Sequence, residues 1–297
     1  MNSKNGGNSG RQRELLEAVI TVMGETHGRD LSVYNESFLA TSLEKRRQAS
    51  ACTDTATYLQ RLAVDDVEAE AFHRSLRVVY SEFFRNPLAF ALLEQLILPG
   101  LIEGKDRSGG EIRIWSAGCA AGQEAWSVAI LLDELAAAGA KPVPFRIFAT
   151  DLSDEDLTLA RGGVYSATAV GNVRLRHLNG CFSRQGDAYA VAPRLKERVD
   201  FSLYDLLDGT TTSPPAGIYG NFDLVLCSNV LLYYRPEVLR LILNKLWRSL
   251  APGGYLITGE TERQMVASVD GFRAVASPAA VFRKVMKGTG GMKNGTG

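Results

Sequence analysis

Residues 112–124 read Ile112-Arg-Ile-Trp-Ser-Ala-Gly118-Cys-Ala-Ala-Gly122-Gln-Glu124. A short apolar run ends in glycine, and an apolar helical run follows from Gln123 to Ala138, closed by Gly139. This is a strand turning directly into a helix, the opening unit of a parallel sheet covered by helices. Small residues at Gly118, Ala120, Ala121 and Gly122 let a ligand lie close to the backbone at that turn. The stretch is not Gly-x-Gly-x-x-Gly, because Ala120 takes the middle position. Taken alone, a tight turn without a ligand accounts for it as well.

The alternation continues downstream. Phe145 to Thr150 reads as a strand ending at Asp151, and Ser153 caps a short helix over 154–161. Strands are expected at Val199–Leu203 and Phe222–Cys227, then a helix from about Pro236 to Leu250 with proline in its first turn. Pro252-Gly253-Gly254 turns into a strand, Tyr255–Thr258, and Phe272–Val275 pairs with Ala280–Val285 as an antiparallel end. Residues 162–198, broken by Gly162, Gly163, Gly171, Gly180 and Gly186, interrupt the pattern and read as a small insertion of short antiparallel strands.

Upstream, residues 11–98 read as a helical domain, with apolar positions spaced by three and four. Thr53 or Asp54 caps the helix carrying Tyr58, Asp65-Asp66 starts the next, and Pro87 opens a helix that Pro99-Gly100 stops. Residues 99–110, rich in glycine and charge, read as a linker to an α/β domain over 111–287. The polar ends, 1–10 and 288–297, read as disordered tails.

Composition narrows the function. Of 297 residues, 45% are apolar, enough for a real core, and 33 basic residues balance 33 acidic ones. A neutral chain does not suit nonspecific binding to nucleic acid. No apolar run approaches the roughly 18–20 residues of a membrane span, so no membrane insertion is expected. The N-terminus lacks a signal-peptide core, and a cytoplasmic location is expected. Cys52, Cys119, Cys181 and Cys227 lie far apart and read as buried free thiols; His27, His73 and His177 are equally scattered, so no metal site is expected.

Ligands of open parallel sheets bind at the carboxyl ends of the strands. Asp151 can accept both hydroxyls of a ribose there, or cap the following helix, although Ser153 already supplies a cap. Ser228 and Asn229 follow the strand ending at Cys227, and Asn229 can bond a ligand amine or carboxylate or close a turn. With no Gly-x-x-x-x-Gly-Lys-Ser/Thr loop, a nucleoside cofactor fits better than a nucleoside triphosphate.

From about residue 35 to 286 the chain resembles the CheR-type methyltransferases, which use S-adenosylmethionine to methylate glutamates of bacterial chemoreceptors. Five stretches carry the resemblance: Ser81-Glu-Phe-Phe-Arg85, Arg113 through Glu124, Ala149-Thr-Asp151, Cys227-Ser-Asn-Val-Leu-Leu-Tyr233-Tyr234, and Pro252-Gly-Gly254 through Gly259-Glu-Thr-Glu262. It implies a Rossmann-like methyltransferase sheet behind an all-helical N-terminal domain, with a small antiparallel β insertion. It implies that Asp151 holds the ribose, that Glu124 binds the amino-acid end, and that Asp205-Leu206 lies near the adenine. Ala117, Gly118, Ser228 and Asn229 join the cofactor-binding set, Ser81 and Arg85 close over the cofactor, and Arg85 and Tyr233 stand near the transferring methyl. Departures from the family pattern fall at Val79, Gln123, Asp205 and Ser228.

The resemblance implies a cytoplasmic protein-glutamate O-methyltransferase acting on receptor helices in chemotaxis signal transduction, with S-adenosylhomocysteine as product. A methyltransferase for another acceptor, or a sensory module binding the cofactor without turnover, are the alternatives. The short turn at Gln185-Gly186-Asp187 in the insertion implies recognition without a receptor tether. The basic residues Lys45, Arg46, Arg47, Arg61, Arg74 and Arg77 form either a steering face for acidic receptor helices or an ordinary solvated face. A monomer is expected, since no coiled-coil heptads occur.

Overall fold

A computed structural model describes residues 6–77, 80–138, 144–217 and 219–286. The helices are α1 Gly6–His27, α2 Glu36–Ala49, α3 Thr55–Val64, α4 Asp66–Ser75, α5 Pro87–Leu92, α6 Leu98–Ser108, α7 Gln123–Ala138, α8 Asp154–Gly162, α9 Leu175–Cys181, α10 Pro193–Lys196, α11 Pro236–Ser249 and α12 Arg263–Ala267. The strands are β1 Ile112–Ala117, β2 Phe145–Asp151, β3 Val164–Ser166, β4 Phe182–Gln185, β5 Ala188–Val191, β6 Val199–Leu203, β7 Phe222–Cys227, β8 Leu250–Thr258, β9 Phe272–Ala274 and β10 Val281–Lys284.

The chain divides into two units, one of residues 1–78 with 233–239, the other of 79–232 with 240–297. In the first, Leu16, Val19, Met23, Leu39, Leu43, Tyr58, Leu62 and Phe72 form one buried cluster. Asp54 caps α3 through the Thr57 N–H, and Asp65 caps α4 through the Val67 and Glu68 N–H groups. Glu68, only 3% exposed, is gripped by Arg46 through two bonds of 2.8 Å and by the Tyr58 hydroxyl at 2.8 Å. Removing one partner of such a group strands the others without water. Glu68→Ala is therefore expected to destabilise this unit by about 3 kcal/mol, read by urea unfolding followed by circular dichroism. A loss below about 1 kcal/mol would show the ion pair to be dispensable.

The second unit is built on a seven-stranded sheet of order β6-β2-β1-β7-β8-β10-β9. β6, β2, β1, β7 and β8 run parallel, and β10 and β9 add the antiparallel end. The interior strands are almost wholly buried, which is why they read as unbroken apolar runs. Residues 162–198 hold a three-stranded antiparallel sheet, β3-β5-β4, with the β4–β5 turn at Gly186-Asp187.

Three boundaries differ from expectation. Helix α1 already runs from Gly6, inside the stretch read as a tail, because the strong helix formers after Arg11 propagate the helix backwards. Residues 99–110 are not a linker. A π-helical turn, Leu93–Ile97, joins α5 to α6, and the Leu98 N–H reaches back five residues to the Leu93 carbonyl. The ladder restarts there, so Pro99 sits in a fresh first turn where its missing N–H costs little. The unit boundary consequently falls near residue 78 rather than 98, and Phe83, Phe90, Leu93, Ile97 and Leu98 are buried in the same cluster as the sheet.

Taken from Pro87 to Ser108, this helix is long and apolar enough by composition to cross a membrane, contrary to the reading of short apolar runs. Its inner face is buried against the sheet, and Glu94 and Lys105 on it pair with Arg174 and Asp223. The four cysteines are free thiols, three of them buried and Cys52 half-buried. Val79 and the expected tail at 288–297 lie outside the described residues.

Candidate cofactor site

Parallel pairing brings the carboxyl ends of β2, β1 and β7 side by side. Past Ala117, the Gly118 and Cys119 N–H groups both bond the Thr150 carbonyl, at 2.8 and 2.9 Å, so the first turn leans onto the end of β2. Gly118 has φ +76°, and a Cβ there would stand 2.6 Å from the Val230 side chain, so this close approach requires glycine. Asp151 ties the two loops together: one carboxylate oxygen accepts the Ala120 N–H at 2.8 Å, the other the Ser153 N–H at 3.0 Å. Ser153, not Asp151, caps α8. Each Asp151 oxygen keeps a lone pair for a ligand hydroxyl. The Tyr204 N–H bonds the Asp151 carbonyl, which sets Asp205-Leu206 beside it; Asp205 accepts the Leu207 N–H at 2.8 Å.

Glu124 stands in the first turn of α7 and accepts the Ser116 hydroxyl at 2.9 Å. Burial pushes its carboxyl up to about 7; the Ser228 and Ser116 hydroxyls pull it down, the Glu262 charge adds to the push and Arg85 opposes it. Glu124 forms no ion pair among the described residues, and a buried acid of this kind is suited to a cationic ligand group. Asn229 Oδ1 and Gln123 Oε1 are buried without a hydrogen-bond partner among the described residues, and Ser228 Oγ lies against the Glu124 carboxyl. Unpaired polar atoms of this kind mark where a ligand completes the bonding. A ligand with an α-ammonium and α-carboxylate matches that donor and acceptor set, and one with ribose hydroxyls matches Asp151.

Ser81 and Arg85 lie on the segment leading into α5. Phe84 has φ +53°, an uncommon value for a bulky residue. The Ser127 hydroxyl accepts its N–H at 3.0 Å, and the His177 ring stacks on it at 5.7 Å. The Arg85 guanidinium donates to the Tyr80 carbonyl at 3.0 Å and lies 5.0 Å over the Tyr80 ring. Tyr233 belongs to the other unit. There its carbonyl accepts the Asn35 N–H at 2.9 Å and its ring packs 4.6 Å from Phe38.

The basic face proves largely self-neutralised: Arg46 pairs with Glu68, Arg47 with Glu44, Arg61 with Asp65, and Arg74 with Glu70. Sequence reading missed Ser116 and the buried Glu262, whose carboxylate gathers four backbone N–H groups. Burial pushes the Glu262 carboxyl up against the pull of those donors. Its place in Gly259-Glu-Thr-Glu262 was visible in the sequence, but the donors come mainly from some thirty residues away.

A mostly parallel seven-stranded sheet with a small-residue turn after β1, Glu124 beyond that turn and Asp151 at the end of β2 defines an α/β domain whose strand ends suit a nucleoside cofactor. Residues 80–281 match the family described as CheR methyltransferase, SAM binding domain, and the chain belongs to that family. The cofactor is S-adenosylmethionine. Among its relatives, an uncharacterized 104.1 kDa protein of Rhodobacter capsulatus is 28% identical over 91% of this chain. Chemotaxis protein methyltransferase 1 of Pseudomonas aeruginosa is 39% identical over 61% of it. The chemotaxis protein methyltransferase of Escherichia coli is 31% identical, covering 85% of this chain and 82% of that protein. The chain spans 27% of the Rhodobacter protein and 64% of the Pseudomonas one.

Proposed function

We propose that the protein transfers a methyl group from S-adenosylmethionine to glutamate side chains on the cytoplasmic helices of a chemoreceptor-like protein. The products are glutamate methyl esters and S-adenosylhomocysteine. The observation that carries this reading is the buried Glu124, which forms no ion pair among the described residues, set beside the unpaired polar atoms of Gln123 and Asn229. Family membership and the named relatives support the acceptor class.

In this reading Glu124 takes the α-ammonium, Ser228 and Asn229 complete the amino-acid end, Asp151 holds the ribose, and Asp205-Leu206 flanks the adenine. The bound cofactor supplies a methyl on a sulfonium, an activated leaving group. A glutamate acceptor has a pKa near ~4.3 and is already ionised at neutral pH, so no strong general base is required. What remains is alignment, which contributes up to roughly 7–11 kcal/mol. Arg85 orients the acceptor carboxylate through its planar fork.

The protein is taken to act in the cytoplasm, as a monomer, without gripping a receptor tether. The two-residue turn between β4 and β5 supports the last point, since it leaves no long loop beside that sheet edge.

The test is calorimetric titration with S-adenosylmethionine and S-adenosylhomocysteine, run beside tritiated-methyl transfer to membranes carrying chemoreceptors. Binding together with base-labile incorporation is expected. Binding without incorporation would sink the receptor-glutamate acceptor and favour a different acceptor or a sensing role.

A further inference from the structure

Glu262 enters the site as drawn so far only through its charge on Glu124, yet its surroundings are unusual. The side chain is fully buried. One carboxylate oxygen accepts the Leu231 N–H at 2.7 Å and the Leu232 N–H at 3.2 Å. The other accepts the Asn229 N–H at 2.9 Å and the Gly259 N–H at 2.7 Å. Every bonding neighbour is a donor, and the donors form a nest of the kind that elsewhere binds a free anion.

The topology explains how one side chain reaches them all. β7 and β8 run parallel with Cys227 opposite Thr258, so their loops leave the sheet side by side. Glu262 comes from the second loop, and residues 229–232 make the first. Asn229 is held there at φ +61°. Its side chain lies over Gly259, where a Cβ would stand 2.7 Å from Asn229 Nδ2. The loop's shape thus depends on the carboxylate inside it, and that shape sets the direction of Ser228 and Asn229.

We propose that Glu262 is a positioning residue, a built-in anion that folds loop 229–232 and so aims Ser228 and Asn229 at the amino-acid end of the cofactor. The proposal rests on the reading of Ser228 and Asn229 as contacts to that end. It predicts a selective defect. Gln at this position presents an NH2 group to two backbone donors, and Asp is too short to meet all four.

The test uses Glu262→Gln and Glu262→Asp in the full chain, titrated with S-adenosylhomocysteine and with 5′-methylthioadenosine, which shares the adenine and ribose but lacks the amino-acid end. S-adenosylhomocysteine affinity is expected to fall about 30-fold in each folded variant, with methylthioadenosine affinity within about twofold of wild type. Equal loss for both ligands, or no loss for either, would overturn the proposal, the first by showing a merely structural role. If circular dichroism shows Glu262→Gln unfolded, Glu262→Asp decides, because it keeps the charge. Unfolding of both variants overturns the proposal and marks a folding residue. Wild-type protein that binds neither ligand overturns the cofactor reading beneath it, while wild-type binding without methyl transfer touches only the acceptor.

Discussion

Cofactor affinity is expected to fall about tenfold for each pH unit below 7, and Glu124→Gln is expected to remove that dependence. Burial holds the Glu124 carboxyl at about 7 in the free protein, so it takes up a proton as the solution turns acidic. A protonated carboxyl cannot pair with an α-ammonium, and the proton must leave before binding. The window from about pH 5.5 to 7 lies below the range where an α-amino group loses its own proton, so Glu124 dominates the slope. Calorimetry with S-adenosylhomocysteine across that window, repeated in buffers of different ionisation heat, should show proton release. A flat affinity profile for wild type would refute this role for Glu124. The same shift has a stability consequence of defined sign. The folded carboxyl binds its proton more tightly than the unfolded one. The stability it contributes is therefore fully present below the ordinary carboxylate range and is lost as pH rises through 7. At pH 8 the free protein carries a buried charge without a cation, at a cost of up to about 3 kcal/mol. Glu124→Gln should therefore be the more stable protein at pH 8 and the poorer binder, a trade of stability for function.

How much of this was legible beforehand depended on whether a residue's role was local. Strands β1, β2 and β7 were readable because their apolar runs end at Gly118, Asp151 and Ser228, and buried parallel strands need no more signal than that, while the half-buried edge strand β6 showed as an alternation, Val-Asp-Phe-Ser-Leu. Glu124 and Asp151 were readable from their positions at strand ends. Pro99-Gly100 misled because a proline's effect depends on the turn before it, and the π turn at Leu93–Ile97 has no local signature. The basic residues of α2 and α4 stayed ambiguous for a related reason. Arg46 looks like a surface cation until Glu68, twenty-two residues on, is seen to bury beneath it. Glu262 was quoted without a role because its partners are backbone N–H groups of another loop, which leave no trace in side-chain chemistry. Tyr233 carries the same lesson: it follows directly on a loop of the sheet unit, but its packing partner Phe38 comes from α2.

Arg85→Ala is expected to lower methyl transfer by about 300-fold while leaving S-adenosylhomocysteine affinity within about fivefold of wild type. The reasoning starts from the backbone. Phe84 adopts a left-handed conformation that a bulky residue holds only when its surroundings compel it. The Ser127 hydroxyl and the His177 ring supply that compulsion. The result is that Arg85 leaves the chain in a direction an ordinary helix entry would not give. Its guanidinium is steadied by the Tyr80 carbonyl and ring, and among the described residues one of its nitrogens is occupied by that bond. The rest of the fork is free to meet a carboxylate through two parallel hydrogen bonds. Such a group acts on the acceptor and the transition state more than on the bound cofactor, so rate and cofactor affinity should separate. Arg85→Lys should restore little, because a point charge cannot hold a carboxylate in plane. Ser127→Ala, which only loosens the Phe84 turn, should give an intermediate loss in kcat. Single-turnover methyl transfer measured beside calorimetry reads both quantities on the same protein. If affinity falls in step with rate, Arg85 serves chiefly as a cofactor ligand, and orientation of the acceptor must be sought on other residues.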